Sequence, residues 1–340
     1  MRKPWVTSLK ADPLPWLLEE ENSAVRHAAL RDLLERPDSD SEVRRAQAAA
    51  MAADPIAAIL THQQPQGWWE KPGPGYASKC RGTVWSVIFL EQLGADPTDS
   101  RVQAACEYVL DHSQAPEGGF SSSGSHLVQP PPNYHAIHCL NGNLVRALVG
   151  LGRLGDRRLA RAIEWQARAI TGEGPIGFHA SGTTGPTFAC ASNGGQSCAW
   201  GAVKAVLALA SVQADRRSPL VHRALEQGAA FLLSRDPLVA DYPMGWGEPA
   251  PSVEWRRLGF PLGYVADVLQ NLEALCAAGY AKDARLGRAV EWVLSRQDAN
   301  GRWRNQRAYN RKIWVDFERQ GQPSKWVTLR VCRVLRQVLA

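Results

Sequence analysis

The sequence predicts an all-α fold in which about five or six helical hairpins stand side by side and close into a ring. Three observations predict it. Five segments end a helix-like run in a turn that closes on Gly and an aromatic: residues 64–68, 116–120, 174–178, 241–246 and 297–303, closing on Trp68, Phe120, Phe178, Trp246 and Trp303. These aromatics recur every ~50–70 residues, the period of stacked helical pairs. Each turn is followed by a helix pattern with few charges around its circumference, over residues 82–93, 139–151, 198–210, 262–277 and 324–339. A more charged, amphipathic pattern precedes most of the turns, at 101–112, 157–170, 219–233 and 284–296. The first class is suited to burial on most sides and the second to one wet face, so the apolar set forms an inner layer and the amphipathic set an outer one.

The elements follow in order. Asp12-Pro13-Leu14-Pro15-Trp16 opens the chain's first hairpin, Asn22 is placed to cap a helix over 23–34, and Ser41 one over 42–52. Residues 1–53 thus read as a HEAT-like hairpin packed on a repeat region spanning 54–340, the whole making one domain of 340 residues. In each repeat turn Gly permits positive φ, the aromatic plugs the gap between neighbouring hairpins, and a Gln amide ties a helix end.

These turns resemble the repeat motif of the terpenoid cyclase and protein prenyltransferase superfamily. The resemblance covers roughly residues 54–340 and is strongest at Gln64 to Trp69 and Gln297 to Trp303. It implies an (α/α) toroid around a central cavity. Within that superfamily the chain looks like a set of bacterial single-chain repeat proteins with a Cys before one inner helix, a Cys-loop-Cys before the next, and a C-terminal Gln-Pro-Ser-Lys-Trp-Val-Thr-Leu. Here those are Cys139, Cys190 with Cys198, and residues 322–329. The Asp-x-Cys arrangement of the zinc prenyltransferases and the Asp-x-Asp-Asp acid of the protonating triterpene cyclases are both absent, which disfavours squalene-type protonation.

Composition narrows the classes. An apolar fraction of 45% without a stretch near the ~20 residues of a membrane span, and a start lacking an apolar leader core, lead to the expectation of a cytoplasmic protein with no transmembrane segment. The net charge of +6 is spread along the chain and no nucleic-acid motif accompanies it, so nucleic acid is not an expected partner.

Seven Cys in a reducing compartment point to buried thiols, metal ligands or nucleophiles rather than disulfides. Cys106, Cys276 and Cys332 sit among apolar neighbours and read as core. Cys139 and Cys198 occupy corresponding points at the starts of successive inner helices, and Cys190 stands in a Gly-rich loop able to fold a third sulfur over the same helix ends. With His138 as fourth ligand, and His135 or Cys80 as alternatives, these make a candidate Zn2+ set; an iron–sulfur cluster ranks behind it, and three unligated thiols is the competing reading.

Thirteen Trp are available to plug repeats or to line a cavity. Trp85, Trp200, Tyr264 and Trp326 fall on or beside the inner helices and are the candidate substrate-binding residues, where plain core is the alternative. Lys204, Asp267 and Arg330 interrupt apolar runs at equal intervals along the chain and are the candidate catalytic charges, with a structural ion pair as the competing reading. The functional expectation is a metal-dependent enzyme resembling terpenoid cyclases and prenyltransferases, acting on a small, largely apolar, isoprenoid-like or polycyclic substrate. The alternative is a non-catalytic binding or scaffold toroid with structural zinc.

Overall fold

A computed structural model describes residues 4–124, 130–173, 187–190, 193–240 and 252–339. The turns expected at 174–178 and 241–246 lie outside the described residues. The helices run α1 (Leu14–Leu17), α2 (Ser23–Asp32), α3 (Ser41–Ala52), α4 (Ile56–Thr61), α5 (Thr83–Gln92), α6 (Ser100–His112) and α7 (His138–Gly150). They continue with α8 (Arg157–Thr171), α9 (Ala199–Ser211), α10 (Pro219–Leu233), α11 (Val268–Leu275), α12 (Gly287–Ser295) and α13 (Lys325–Leu339). A two-residue strand pair, Trp303–Arg304 with Pro323–Ser324, brackets the loop before α13.

The fold is the α/α toroid. Going round the ring, α5 packs on α7, α7 on α9, α9 on α11, α11 on α13 and α13 on α2. The circle closes where the turn after α5 meets the first hairpin: His27 lies beside Gly94, and the Asp96 backbone N–H donates to Met51 Sδ at 3.1 Å. Helix α2 thus sits between α13 and the turn after α5. The layers differ as their sequences require. Eight of the ten residues of α5 are buried, whereas α8 buries one face built on Leu159, Ile163, Gln166 and Ile170.

The repeat turn has a recurring geometry. Trp69 and Trp303 each donate Nε1 to a carbonyl ten residues back, Ile59 and Val293, at 2.7 Å. Their backbone N–H groups donate to Thr83 Oγ1 at 3.1 Å and Thr328 Oγ1 at 3.0 Å, and Phe120 N–H donates to Asn141 Oδ1 at 3.0 Å. The plug of the first turn is thus Trp69, fully buried, and not Trp68. The turn glycines Gly67, Gly118 and Gly301 have φ of 97°, 106° and 81° and press on the backbone of Ala104, Arg161 and Ala11. A Gln secures the same junction each time: Gln63, Gln114 and Gln297 donate Nε2 to the carbonyls of Arg101, Arg158 and Ala11.

Several boundaries differ from the sequence expectation, each for a local reason. Asp40 rather than Ser41 caps α3, its Oδ1 accepting from Glu42 N at 2.7 Å and Val43 N at 3.3 Å. Asn22 caps α2 as expected, through Val25 N at 3.1 Å. The fourth inner helix begins at Val268 instead of residue 262, because the Asp267 carboxylate accepts from Gln270 N at 2.7 Å and fixes the N-terminus there.

Helices α7 and α9 meet at Gly142, where a methyl group would stand 2.5 Å from the Lys204 carbonyl carbon and 2.8 Å from Ala205 N. Gly142→Ala is expected to cost ~1–3 kcal/mol of stability through backbone displacement. Gly155→Ala, where nothing lies within 4 Å, should change it by less than ~0.5 kcal/mol. Urea denaturation of both variants checks the contrast.

Candidate functional site

The inner helices α5 to α13 run in one direction, so their N-termini gather at one end of the ring. Cys139 is the second residue of α7. Cys198 is the N-cap of α9, with Sγ accepting from Gly201 N at 3.4 Å. Cys190 reaches it through a short ribbon, in which Cys190 N donates to Gln196 O and Cys198 N to Phe188 O, both at 3.0 Å. This register puts Cys190 and Cys198 in thiol–thiol hydrogen-bonding contact, with Cys139 close enough to repel charge on Cys198. All three are half-buried. The hydrogen bond from Cys190, then burial, then the neighbouring sulfurs hold the Cys198 thiol well above its ordinary range. Burial, reinforced by Cys190 and opposed by Lys204, pushes Cys139 up to about 12. At neutral pH Cys139 and Cys198 are held as thiols.

The expected fourth ligands are placed as follows. His138 is turned to the outer layer, its Nδ1 2.9 Å from Gln166 Nε2 and its ring 5.1 Å from Phe188; burial pushes its pKa down to about 4. His135 lies half-buried in the turn before α7, its carbonyl accepting from Ser122 N at 2.9 Å. Buried Cys80 precedes α5, with Lys79, Lys312 and Tyr309 as its electrostatic neighbours. Among the described residues no group of three or more His, Cys, Asp or Glu side chains is spaced to hold a metal ion.

Aromatic rings meet the thiols. Trp85 lies 5.3 Å from Tyr76 and 6.1 Å from Tyr264, and Tyr264 lies 6.3 Å from Trp200. The Tyr76 phenol is raised first by burial and then by Cys139, Tyr264 and Cys190, which sets it near two of the three sulfurs. Phe89 extends the cluster to Tyr309 and Phe317, at 6.2 and 5.9 Å. Three of the four expected substrate-binding residues, Trp85, Trp200 and Tyr264, are thereby brought together. Trp326 joins them only indirectly, stacking at 4.5 Å on Phe260, which lies 6.1 Å from Phe317. Tyr76, Tyr309 and Phe317 come from loops, where hydrophobic periodicity gives no signal. The loop carrying the last two is anchored by Glu318, which accepts from Lys325 N at 2.8 Å at the start of α13. Burial pushes the Glu318 carboxyl up to about 7.

Beneath the thiols lies a buried polar floor. Lys204 donates to Gln270 Oε1 and to Val265 O, the latter at 3.4 Å. Burial, aided by Arg307, holds its pKa well below the lysine range. Arg330 donates to Asp267 Oδ1 at 3.1 Å and Oδ2 at 3.2 Å, to Glu273 at 2.8 and 3.0 Å, and to Gly259 O at 2.7 Å. Asp267 also accepts from Gly259 N at 3.0 Å, so its carboxylate is fully engaged. The three charges expected at one level are brought into one network, but Asp267 serves as a helix cap and ion-pair partner within it.

No family model matches the chain, and no curated protein matches it. Among solved structures it is similar to the type II terpene cyclase MstE from Scytonema. The substrate-free form aligns over 93% of this chain and 87% of its own, at 18% identity and a TM-score of 0.46. An arginine variant in complex with geranylgeranyl dihydroxybenzoate aligns over 94% and 87%, at 17% identity and a TM-score of 0.45.

Burial alone would raise the Asp267 pKa; Arg330 outweighs it and holds the carboxyl below the usual range. The pair therefore stabilises the fold fully above the unfolded-state value of about 3.9 and loses its contribution as pH falls through the depressed folded value. Asp267→Asn leaves Arg330 short of charge in the interior and is expected to cost ~3–5 kcal/mol at pH 7. The gap from the unmodified protein should narrow as pH falls below about 4, as urea unfolding across pH can measure.

Proposed function

We propose that the chain is an enzyme of the terpenoid cyclase and prenyltransferase type, acting on a small, largely apolar, isoprenoid-like or polycyclic molecule. Its substrate lies against Tyr76, Trp85, Trp200 and Tyr264. The observation that carries this reading is the meeting of these rings with three half-buried thiols at one end of the ring. Aromatic faces both pack on apolar carbon and attract developing positive charge, the combination an isoprenoid reaction uses.

We further propose that Cys139, Cys190 and Cys198, which are not spaced as a ligand set in the structure described, would draw together to hold Zn2+. Cys190 raises the pKa of both Cys139 and Cys198, a crowding of sulfurs that a divalent cation would relieve, since coordination takes the proton from a thiol. When bound, such an ion supplies Lewis-acid polarisation of a substrate oxygen or activation of a bound nucleophile. The three sulfurs would supply the thiolate donors, and the Gln166 bond to His138 Nδ1 leaves the role of that imidazole open. In this reading Lys204, whose affinity for a proton burial lowers, would exchange a proton at Nζ, and Asp267 and Arg330 act by holding Gln270 and α11 in place beneath it. The full pairing of Asp267 and Arg330 favours the second reading, a binding or scaffold toroid in which zinc locks the repeats.

Two measurements test the proposal. Metal analysis of the purified chain should find about one zinc per molecule, reduced in a Cys139→Ser, Cys198→Ser double variant; trace zinc in the unmodified protein would remove the metal. Trp85→Leu and Tyr264→Leu should each weaken binding of a geranylgeranyl-bearing probe about tenfold or more while circular dichroism stays unchanged. Undiminished binding would remove the aromatic site. Turnover of a bound isoprenoid separates the enzyme from the scaffold.

A further inference from the structure

The opposite end of the ring axis holds a second site. Where the inner helices end, a cavity of about 290 Å3 opens among His27 of α2, Glu91 of α5, Arg146 of α7 and Arg333 of α13. Arg146 lies seven residues along α7 from Cys139, ~10 Å at 1.5 Å per residue, with Lys204 and Gln270 between the two ends. The cavity belongs to the ring and not to the thiol and aromatic cluster.

Its polar groups are incompletely used. His27 is 2% exposed and its Nδ1, beside Gly94 on the cavity wall, has no hydrogen-bond partner among the described residues. A buried nitrogen in that state normally costs free energy, which a ligand hydrogen bond recovers. Glu91 and Arg146 meet only through one loose contact, Arg146 Nε to Glu91 Oε1 at 3.4 Å, at 16% and 28% side-chain exposure. Neither side chain makes a hydrogen bond among the described residues. By contrast Arg333 is paired with Asp32, and Glu273 is taken up at both oxygens by Arg330. Glu91, Arg146 and the His27 imidazole thus face one another across a small polar space that Arg31 and Arg333, both held to Asp32, also border.

We infer that this well binds a small zwitterion, a molecule carrying an ammonium and a carboxylate in the manner of an α-amino acid. The carboxylate would take the fork of Arg146 and the ammonium the oxygens of Glu91, with His27 Nδ1 bonding a third polar atom. The inner-helix C-termini gathered here add negative potential that favours the ammonium. The volume fits a ligand at the small end of the range for binding pockets.

The test uses the full-length protein and the twenty common α-amino acids as probes, first by thermal shift and then by calorimetry. At least one should bind at a single site. Its des-amino and decarboxylated analogues should bind about tenfold more weakly or worse, and Glu91→Gln and Arg146→Gln should each weaken it to a similar degree. No binding by any of the twenty overturns the inference, as does a des-amino analogue that binds equally well. Should either variant fail to fold, histidine NMR of the unmodified protein decides: the His27 imidazole signals must shift on saturation with the bound amino acid, and unmoved signals overturn the assignment.

Discussion

The ring depends on one contact made repeatedly, the docking of a repeat turn onto the backbone of the next hairpin. Gly67 presses on Ala104 and Gly118 on Arg161, and a Gln amide from the same turn reaches the start of that outer helix. The last turn makes the same contact with Ala11 through Gly301 and Gln297, so the N-terminal segment occupies the place of the next repeat. A chain of stacked hairpins becomes a closed toroid because its two ends satisfy the junction seen at the described internal turns. Closure gathers the N-termini of the inner helices, and the chemistry collects there.

Between the two ends of the axis stands the network of Lys204, Gln270, Asp267, Arg330 and Glu273. It caps α11, ties α13 to it and holds the loop at Gly259. Such a buried cluster persists only when each charge is paired and hydrogen-bonded. Glu273 belongs to both regions, bonding Arg330 on one side and lining the axial well on the other. The floor of the aromatic site is thus also the roof of the second cavity.

Much of the fold was legible because it rests on periodicity and local turn chemistry. The alternation of apolar and amphipathic helices placed α5, α7, α9 and α13 within a residue or two, and α10 in full. Helix starts governed by one side chain were harder to read. Asp40 and Ser41 are both good caps, and only geometry selects Asp40; Asp267 looked like an interruption inside a helix because a cap and a buried charge are the same letter. The two-Trp turn hid which ring is the plug until Trp69 was seen to bond Ile59. At the site, corresponding positions at helix starts brought out Cys139 and Cys198, whereas Tyr76, Tyr309 and Phe317 arrive from loops whose course only tertiary packing decides. His138 adjoins Cys139 in sequence, but successive residues of a helix point about 100° apart, which sends its ring to Gln166.

The most direct measurement is photo-crosslinking with a benzophenone-bearing isoprenoid, followed by peptide mapping of the labelled protein. Labelling confined to peptides that contain Tyr76, Trp85, Cys139, Trp200 or Tyr264, and competed by unlabelled isoprenoid, is the outcome expected if the aromatic and thiol cluster receives the substrate. Labelling spread over the outer helices, or indifferent to competitor, would contradict it.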